Sequence, residues 1–485
     1  MQELLPSNFG DVSDGSFSQA ILKMGIDPTV GESLLPLGAM VDERIVGEAP
    51  IVGMIGGGQG AFIGGVHRTA AAISGDWQLV AGAFSSTAEK SIASGAEIGV
   101  DPARTYGNWT EMLEREAALP VDVRIEAVSI VTPNHMHAAP AIAALEAGFD
   151  VIIDKPLADT LANATAIAEA VTRTGRRIAV THTYTGYPLV KQARDLIATG
   201  QCGKVRRVMV KYTQDWLSRA SDLENNKQAA WRVDPKQSGD AGAFGDIGTH
   251  AANLVEFITG ERISEICCEL TMLPGRQIDD DGAALFRLSG GGKGTLIASQ
   301  VCVGDMNDLQ IAVYCDEASI HWRQEQPNIM TVKRRDRPDE IWHAGANRAY
   351  LSSDILAIQR TPGGHPEGYL EAFANIYTAF AKQIRGAETG GADPGYATMD
   401  DTLSGMNFLR AALESSRQGA VMIRPERLMA LTFKSEKTPL MLTRHLSSTS
   451  FGIVSRCNIT IPASTSSRSM TPPPRCMSAC LGPVI

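Results

Sequence analysis

Six consecutive residues, Gly56-Gly57-Gly58-Gln59-Gly60-Ala61, follow an apolar run and precede a helical pattern. The spacing of Gly56, Gly58 and Ala61 satisfies G-x-G-x-x-G/A in the strand–turn–helix context that this motif requires. Glycine is needed there because the backbone must turn sharply and approach a pyrophosphate, whose charge then meets a helix N-terminus. The loop predicts dinucleotide binding, and Gly58→Val is expected to remove that binding while leaving the fold largely intact. The residues predicted to bind the cofactor here are Gly56, Gly58, Gln59, Gly60, Ala61 and Phe62.

The acidic residue that usually binds a ribose hydroxyl about 20 residues after such a loop is missing. The next predicted strand ends in Ala83-Phe84-Ser85-Ser86, and no arginine stands beside these serines. Serine hydroxyls accept either a 2′-hydroxyl or a 2′-phosphate. Ser85 and Ser86 are therefore assigned to the cofactor site, and the cofactor is predicted to be NAD or NADP. The preference between them should stay within about two orders of magnitude, or ~2.7 kcal/mol.

Three further residues have the chemistry to act on a hydroxyl group. Lys155 directly follows an apolar strand, at the carboxyl edge where doubly wound sheets bind ligands. Asp246 and His250 are four residues apart, so on a helix they share one face. An imidazole near a carboxylate can accept the proton of a hydroxyl. From the residues alone, a solvated loop lysine, an Asp N-cap and a core histidine remain open readings.

Strands alternate with helices over the first part of the chain, which indicates right-handed βαβ units and a doubly wound sheet. Strands are predicted at 51–55, 78–83, 127–131, 151–153 and 178–181. Helices are predicted at 62–74, from a capping box at Ser86-Thr87-Ala88-Glu89 towards 98, at 136–147 and at 161–174. After Gly200 the predicted strands are longer and joined by turns, at 204–213, 263–272, 283–289, 294–303 and 310–314. Two helices follow, near 368–385 and 399–417.

The predicted fold class is α/β: an N-terminal Rossmann doubly wound parallel sheet, then a C-terminal α+β domain with an open, mainly antiparallel sheet. The predicted organisation is an N-terminal extension (1–48), an NAD(P)-binding domain (49–182), a substrate and oligomerisation domain (183–425), and a disordered or aberrant tail (426–485). The tail is rich in Ser and Thr and contains Pro472-Pro473-Pro474, so burial there cannot offset the ordering entropy.

Composition excludes several partners. The chain has 44 basic and 54 acidic residues and a net charge of −10, which argues against a nucleic acid or a membrane surface as partner. Eight cysteines include no C-x-x-C pair, so neither a disulfide framework nor a metal site is expected, and the cytoplasm is the predicted location. The first 48 residues contain no basic start followed by an apolar block, so no secretion signal is expected.

Three separated motifs carry a resemblance to a known family. They are Thr132-Pro133-Asn134-His135-Met136-His137, Asp154-Lys155-Pro156, and Gly245-Asp246-Ile247-Gly248-Thr249-His250. In this order and after these strands, the set resembles the Gfo/Idh/MocA oxidoreductases, named after glucose–fructose oxidoreductase and inositol dehydrogenase. The resemblance covers about residues 50 to 425. Two departures are visible: Asp154 replaces the family's usual glutamate, and Asn253 stands where an acidic residue is common.

The resemblance implies that Lys155 and His250 face the reactive carbon from opposite domains, with Asp246 binding the substrate or tuning the histidine. It also implies a homodimer or homotetramer. The remaining cofactor contacts are assigned to Thr132, Asn134, His137, Asp154 and Lys155. The pH profile of kcat/KM is expected to rise through a group that titrates near neutrality, and that group is His250.

Substrate recognition is assigned to aromatic and charged residues outside the shared motifs, because an indole face and a guanidinium suit a pyranose ring. With Asp246 and His250, these are Tyr184, Trp231, Arg232 and His365, for which plain packing is the open alternative. The predicted function is an NAD(P)-dependent dehydrogenase that oxidises a secondary hydroxyl of a sugar, sugar derivative or cyclic polyol. The alternatives are an NAD-dependent glycosidase of the same superfamily, a non-catalytic dinucleotide sensor, or a decayed gene product.

Overall fold

A computed structural model of the chain describes residues 50–219, 232–386 and 394–425. The predicted N-terminal extension and the predicted tail lie outside the described residues, as does Trp231. Within the described ranges the five cysteines are free thiols, and no group of three or more His, Cys, Asp or Glu side chains is arranged to hold a metal ion. No helix in the same ranges is long and apolar enough to cross a bilayer.

The first sheet has five parallel strands in the order β2-β1-β3-β4-β5. They are β1 (Ile51–Gly56), β2 (Gln78–Ala83), β3 (Ala127–Val131), β4 (Asp150–Ile153) and β5 (Ile178–Val180). Strands β3, β4 and β5 are buried at every position, which explains their continuous apolar sequence. Because the chain order reverses between β1 and β3, the ends of these two strands form the switch point at which such sheets bind ligands.

Helices connect these strands on both faces of the sheet. They are α1 (Phe62–Ser74), α2 (Ala88–Ile98), α3 (Trp109–Ala117), α4 (Ala138–Glu146) and α5 (Leu161–Thr174). The predicted capping box before α2 does not form, because the N-cap residue is Thr87 and its side chain makes no capping hydrogen bond. The predicted helix 136–147 divides into a 3-10 turn at Asn134–Met136 and the α-helix α4.

The second sheet has eight strands in the order β13-β12-β11-β10-β6-β9-β8-β7. They are β6 (Val205–Thr213), β7 (Ile263–Thr271), β8 (Asp281–Leu288), β9 (Lys293–Ser299), β10 (Asp308–Cys315), β11 (Ala318–Arg323), β12 (Ile329–Arg334) and β13 (Glu340–His343). All neighbours are antiparallel except β6 and β9, which are parallel. The predicted fold class is confirmed. Strands β11 to β13 were not expected, and they are short, with four to six residues each.

The second sheet buries one face and exposes the other, so its strands alternate in burial. The buried face packs on helices α6 (Pro188–Ala198), α7 (Thr249–Thr259) and α9 (Met399–Arg417). The open face carries apolar side chains that are 42–56% exposed, and they are Met209, Leu285, Ile297 and Ile341. An antiparallel sheet of this kind is solvated on its open face or covered by a further surface.

The late helix α8 (Tyr369–Ile384) returns to the first sheet. Its Phe373, Ile376 and Phe380 share one buried cluster with Val52 of β1 and with Trp77. A segment near the end of the described chain therefore completes the helical layer on one face of the parallel sheet. Ala372 of the same helix belongs to the buried cluster of the second sheet, so α8 contacts both cores.

Candidate active site

The glycine loop lies at the carboxyl end of β1, where three glycines adopt left-handed conformations. The φ angles of Gly56, Gly57 and Gly60 are +85°, +74° and +78°, which residues with a Cβ rarely adopt. A Cβ on Gly57 would lie 2.9 Å from the Cα of Gly64 in α1, so glycine allows the loop to pack against the helix. A Cβ on Gly60 would meet nothing within 4 Å. Gly60 therefore faces open space in front of α1.

The residues around this space fit a dinucleotide pyrophosphate. Helix α1 follows Ala61, whose side chain gives no cap, and its first turn contains no acidic residue. The free N–H groups and the positive end of the helix dipole therefore point at the site an anion would take. A cavity of about 380 Å³ lies there, lined by Gly58, Gly60 and Phe62 among others.

Gly58 has a packing role that the motif did not indicate. Its N–H donates to the carbonyl oxygen of Phe84 (3.0 Å), and a Cβ on Gly58 would lie 2.6 Å from that oxygen and 2.5 Å from Ser94 Oγ. The expectation that Gly58→Val would leave the fold largely intact is therefore wrong. The valine would displace the end of β2 and part of α2 before any ligand bound.

Two other predicted cofactor contacts lie at the same edge. Gln59 donates from its backbone N–H to Ser94 Oγ (3.1 Å) and from its side chain to Glu97 Oε2 (2.7 Å), which ties the loop to α2. Ser85 is half-buried and Ser86 is exposed, directly after β2. Neither serine distinguishes a 2′-hydroxyl from a 2′-phosphate.

His137, predicted to line the cofactor cleft, is buried. Its ring nitrogens lie 2.8 Å from the carbonyl oxygens of Thr132 and Pro156. The imidazole thus joins the loop after β3 to the loop after β4, and it positions the walls of the cleft without forming part of their surface. Thr132 and Asn134 are partly exposed on the first of these loops, as expected for residues that line a cleft.

Asp154 also turns inward, which differs from its predicted place at the cofactor. Its carboxylate accepts a hydrogen bond from Thr181 Oγ1 (2.9 Å) and lies 3.6 Å from His67 Nε2. His67 Nδ1 in turn lies 2.8 Å from the hydroxyl of Tyr377 on α8. Burial alone would raise the pKa of Asp154, but His67, Lys155 and Thr181 together hold it below its ordinary value. The carboxylate is therefore charged and held within the protein.

Lys155 and Asp246 form the central contact of the site. The lysine Nζ lies 2.6 Å from Asp246 Oδ1 and 2.7 Å from the backbone oxygen of the same residue. The other carboxylate oxygen accepts from Arg232 Nε (3.2 Å) and from Gln300 Nε2 (3.0 Å). Burial would raise the pKa of Asp246, but Lys155 and Arg232 hold it far below its ordinary value. Both oxygens of a permanently charged carboxylate are thus occupied.

A π-helical turn at Phe244–Gly248 carries Asp246, and His250 follows in the first turn of α7. The prediction of one shared α-helical face therefore does not hold, because the wider turn alters the spacing between the two side chains. The start of the turn is fixed by Asp279, whose carboxylate accepts from the backbone N–H groups of Gly242 and Phe244, both at 2.7 Å. With its oxygens occupied, Asp246 acts on His250 through charge alone.

His250 lies in an aromatic pocket with one ring nitrogen unsatisfied. Its Nδ1 is buried and has no hydrogen-bond partner, while its ring packs edge-on against Tyr184 (4.8 Å between centroids) and His182 (5.4 Å). Burial lowers the pKa of His250 well below its ordinary value, Lys155 and His182 lower it further, and Asp246 opposes them. The imidazole is therefore neutral at pH 7 and can accept a proton.

The structure brings together some of the predicted substrate residues. Tyr184 is buried beside His250, and Arg232 pairs with Asp246 and lies over the Trp216 ring at 5.6 Å. His365 is exposed, and its ring nitrogen contacts Pro362 in its own loop (3.4 Å). It takes no part in the hydrogen bonds that join Lys155, Asp246 and Arg232.

Sequence reasoning missed a set of polar residues around His250. They are His182, Tyr212, Gln214, Gln300 and Asn307, and several directly follow or precede strands of the second sheet. A search for amide and phenol side chains at strand ends would have found them. Nothing in the linear order showed that β6 and β9 are neighbours, which places Gln214 and Gln300 side by side.

Family models match both parts of the described chain. An NAD-binding Rossmann-fold model of an oxidoreductase family, GFO_IDH_MocA, matches residues 51–182. A model of the GFO/IDH/MocA C-terminal domain matches residues 190–321. Together the two matches span more than half of the 485 residues.

Individual proteins agree with the family match. The chain is 32% identical to the uncharacterized oxidoreductase YfiI of Bacillus subtilis, over 79% of this chain and 98% of that one. It is 32% identical to the levoglucosan dehydrogenase of Pseudarthrobacter phenanthrenivorans, over 58% and 75%. It superposes on an inositol dehydrogenase homolog from Azotobacter vinelandii complexed with NAD+, with a TM-score of 0.73, 32% identity and coverage of 78% and 97%. That homolog has also been solved with NADH and myo-inositol, where the TM-score is 0.70 at 32% identity, with coverage of 78% and 98%.

Proposed function

The chain belongs to the Gfo/Idh/MocA family of NAD-binding oxidoreductases, and from this premise we propose that it is a dehydrogenase of a sugar or cyclic polyol. The reaction is the oxidation of a secondary hydroxyl group. The observation that carries the proposal is the 2.6 Å pair of Lys155 and Asp246 next to the buried imidazole of His250, whose pKa both of these charges influence. Lys155 follows β4 of the parallel sheet, whereas Asp246 and His250 lie on the π-helical turn and on α7.

The three residues divide the work on the substrate oxygen. Lys155 places a positive charge and N–H donors at that oxygen, which stabilises negative charge as it develops there. Asp246 orients the ammonium through the 2.6 Å contact. His250, neutral and buried, accepts the hydroxyl proton. A nicotinamide bound in the cleft would supply the hydride acceptor for the carbon that carries this hydroxyl.

We propose NAD as the cofactor, bound by the glycine loop with its pyrophosphate at the start of α1. The uncapped helix start and the open side of Gly60 support this placement. Because Ser85 and Ser86 replace the usual ribose-binding acid, NADP should bind within about two orders of magnitude of NAD. Thr132, Asn134 and Lys155 would line the nicotinamide end of the cleft. Residues 49–182 would bind the cofactor, and residues 183–425 would bind the substrate.

The substrate class is inferred from the relatives. Two similar proteins are a levoglucosan dehydrogenase and an inositol dehydrogenase homolog solved with myo-inositol. Both compounds are uncharged rings that carry secondary hydroxyls. Tyr184, Arg232, Asp246 and His250 are the residues we assign to the substrate, with Trp231 beside Arg232 in sequence.

We further propose that the protein is a cytoplasmic homodimer or homotetramer that buries the open face of the second sheet. The exposed apolar residues Met209, Leu285, Ile297 and Ile341 lie on this face, and apolar surface of this kind favours association. Sparse cysteines without a disulfide pattern support a reducing compartment.

Steady-state turnover tests the function. Purified protein is incubated with NAD or NADP and with a panel of cyclitols, aldoses and anhydrosugars, and NADH or NADPH formation is followed by absorbance. Stoichiometric oxidation of one panel member supports the dehydrogenase. Sugar release without net NADH would instead show the NAD-dependent glycosidase, and cofactor binding with no chemistry at all would show a sensor.

A further inference from the structure

A continuous set of hydrogen bonds runs from Asp246 around His250 to Tyr184. Gln300 Nε2 donates to Asp246 Oδ2 (3.0 Å) and to Gln214 Oε1 (3.3 Å). Gln214 Nε2 donates to Asn307 Oδ1 (2.7 Å). The side chains come from the ends of β6 and β9 and from the residue before β10. We call Gln214, Gln300 and Asn307 the amide wall.

The wall ends in a closed ring of three groups. Tyr212 donates its hydroxyl proton to Asn307 Oδ1 (2.6 Å), so Tyr184 must donate its own proton to the Tyr212 oxygen in their mutual contact. Asn307 Nδ2 then donates to the Tyr184 oxygen (3.3 Å). Every hydroxyl proton of the ring is thus used within it. Tyr184 retains only an acceptor site for a ligand, so it is not a proton donor in the reaction.

The direction of these bonds is fixed from both ends. The Trp216 indole, which can only donate, donates to Gln214 Oε1 (2.9 Å). The Asp246 carboxylate, which can only accept, fixes the amide of Gln300. The orientations of all three amides follow from these two groups. After the internal bonds are counted, Gln300 Oε1 remains as an acceptor, and Gln214 and Asn307 each retain one N–H donor.

The two ends of the wall line two cavities. Gln300 borders a cavity of about 150 Å³ with Asp246 and Arg232. Asn307 borders one of about 500 Å³ with Tyr187 and Tyr369. Side chains that still carry donors and acceptors therefore face space at both ends of the wall.

Asn307 is held rigidly from behind. Its backbone N–H donates to Glu325 Oε1 (2.9 Å), and the next residue, Asp308, is buried and paired with Lys211 (2.6 Å) and Arg323 (2.7 Å). A preorganised polar group of this kind loses little conformational entropy when it binds a ligand. The cations near the wall are themselves paired, Lys155 and Arg232 with Asp246, and Lys211 and Arg323 with Asp308.

We propose that the amide wall binds the hydroxyl groups flanking the reacting carbon, and that Gln300 and Asn307 select an uncharged ring over a phosphorylated or carboxylated one. Neutral amides that offer both donors and acceptors match hydroxyl groups, which are donors and acceptors themselves. The nearby cations are already paired with carboxylates, so a phosphate would have to break those ion pairs in order to bind. This inference rests on the proposed function and adds the residues that set its specificity.

Equilibrium binding tests the wall independently of turnover. Titration calorimetry in saturating NADH measures the Kd of myo-inositol, levoglucosan, D-glucose and glucose 6-phosphate for wild type, Gln300→Met, Asn307→Leu and Asn307→Asp. The matched control is Gln383→Leu, which removes an amide–phenol bond to Tyr396 (2.6 Å) away from the site. Asn307→Asp keeps the acceptor for Tyr212 and Gln214. It removes the N–H donors, one of which bonds Tyr184, and it adds a negative charge, so its result is compared with that of Gln300→Met, which changes no charge.

We expect wild type to bind at least one uncharged compound about tenfold or more tighter than glucose 6-phosphate, the scale of a single lost polar contact. Gln300→Met and Asn307→Asp should weaken that binding about tenfold with an unchanged Kd for NADH, and Gln383→Leu should not. Tighter binding of glucose 6-phosphate, no binding of any uncharged compound, or unaltered Kd values in the variants would overturn the proposal. NADH formation from NAD, measured separately, tests the dehydrogenase: binding at the wall without turnover would refute that function alone, and turnover of phosphorylated sugars only would refute the wall alone.

Discussion

Lys155 Nζ lies 2.6 Å from Asp246 Oδ1 and 2.7 Å from the backbone oxygen of Asp246. This single ammonium group joins the loop after β4 of the parallel sheet to the π-helical turn before α7. Both side chains are largely buried, with 15% and 21% exposure. Breaking such a pair leaves one charge uncompensated in a poorly solvated site, so the contact fixes the relative position of the residues that act on the substrate.

Lys155→Met should lower kcat by about 10²–10⁴-fold, because it removes the charge and the donors at the reacting oxygen. The Kd of NAD should change much less than kcat, since the lysine lies at the nicotinamide end and the pyrophosphate site at α1 does not involve it. Steady-state kinetics and cofactor titration check this. The control is Lys204→Met, an exposed lysine on the loop before β6. Wild-type kcat in Lys155→Met would show that the lysine is structural.

His250→Ala should lower kcat by about 10²–10⁴-fold with little change in cofactor affinity. The pKa of His250 is well below its ordinary value of 6.5, so the acid limb of kcat/KM should lie clearly below neutrality. This differs from the neutral limb that the sequence analysis expects, because the sequence gives no measure of burial. The limb should be absent from the residual activity of His250→Ala. A limb near pH 7 that persists in the variant would assign it to another group.

The two glycines of the loop should respond differently to substitution. Gly58→Ala places a Cβ against Phe84 O and Ser94 Oγ, so it should lower thermal stability even without cofactor. Gly60→Ala meets no protein atom, so it should cost only about 1 kcal/mol for its positive φ. Because its methyl enters the space proposed for the pyrophosphate, the Kd of NAD should rise about tenfold or more. Melting curves and NAD titration separate the two effects, and equal loss of stability in both variants would contradict them.

The stability of the fold should decrease as the pH falls through the histidine range. Burial, with Lys155, lowers the pKa of His182 from 6.5 to about 4. The unfolded chain therefore binds a proton between these values that the folded chain does not, and the free energy of unfolding falls as the pH falls from about 6.5 to about 4. His182→Gln should make the decrease in the free energy of unfolding between these two pH values smaller by up to about 3 kcal/mol. Urea unfolding at pH 7 and 4.5 measures it, and an unchanged pH dependence in His182→Gln would contradict the prediction.

A charge on the open face of the second sheet should alter the oligomeric state. Ile297→Glu and Leu285→Glu replace side chains that are 42% and 56% exposed and make no core contact, so the fold should keep its melting temperature. Light scattering after size-exclusion chromatography should show a smaller species than wild type. The control is Lys90→Glu, an exposed position on α2 beside the parallel sheet. An unchanged mass in both apolar variants would place the interface elsewhere.

The sequence by itself determined the alternation of strands and helices and the glycine loop, because these depend on local periodicity and backbone conformation. Strand β2 and helices α1, α5 and α9 begin and end where the pattern predicts. Lys155, Asp246 and His250 were also singled out from motifs and strand ends. Each of these features depends on residues close together in the chain.

Only the tertiary structure decided how the charges and amides pair. The inward turn of Asp154 depends on His67 and Tyr377. His67 lies 87 residues before Asp154 in the sequence, and Tyr377 lies 223 residues after it. The amide wall exists because β6 and β9 are parallel neighbours despite the strands between them in sequence. Burial likewise sets the neutral state of His250. Desolvation and long-range pairing depend on what the folded chain places around a group, and a linear pattern of residue types does not contain that arrangement.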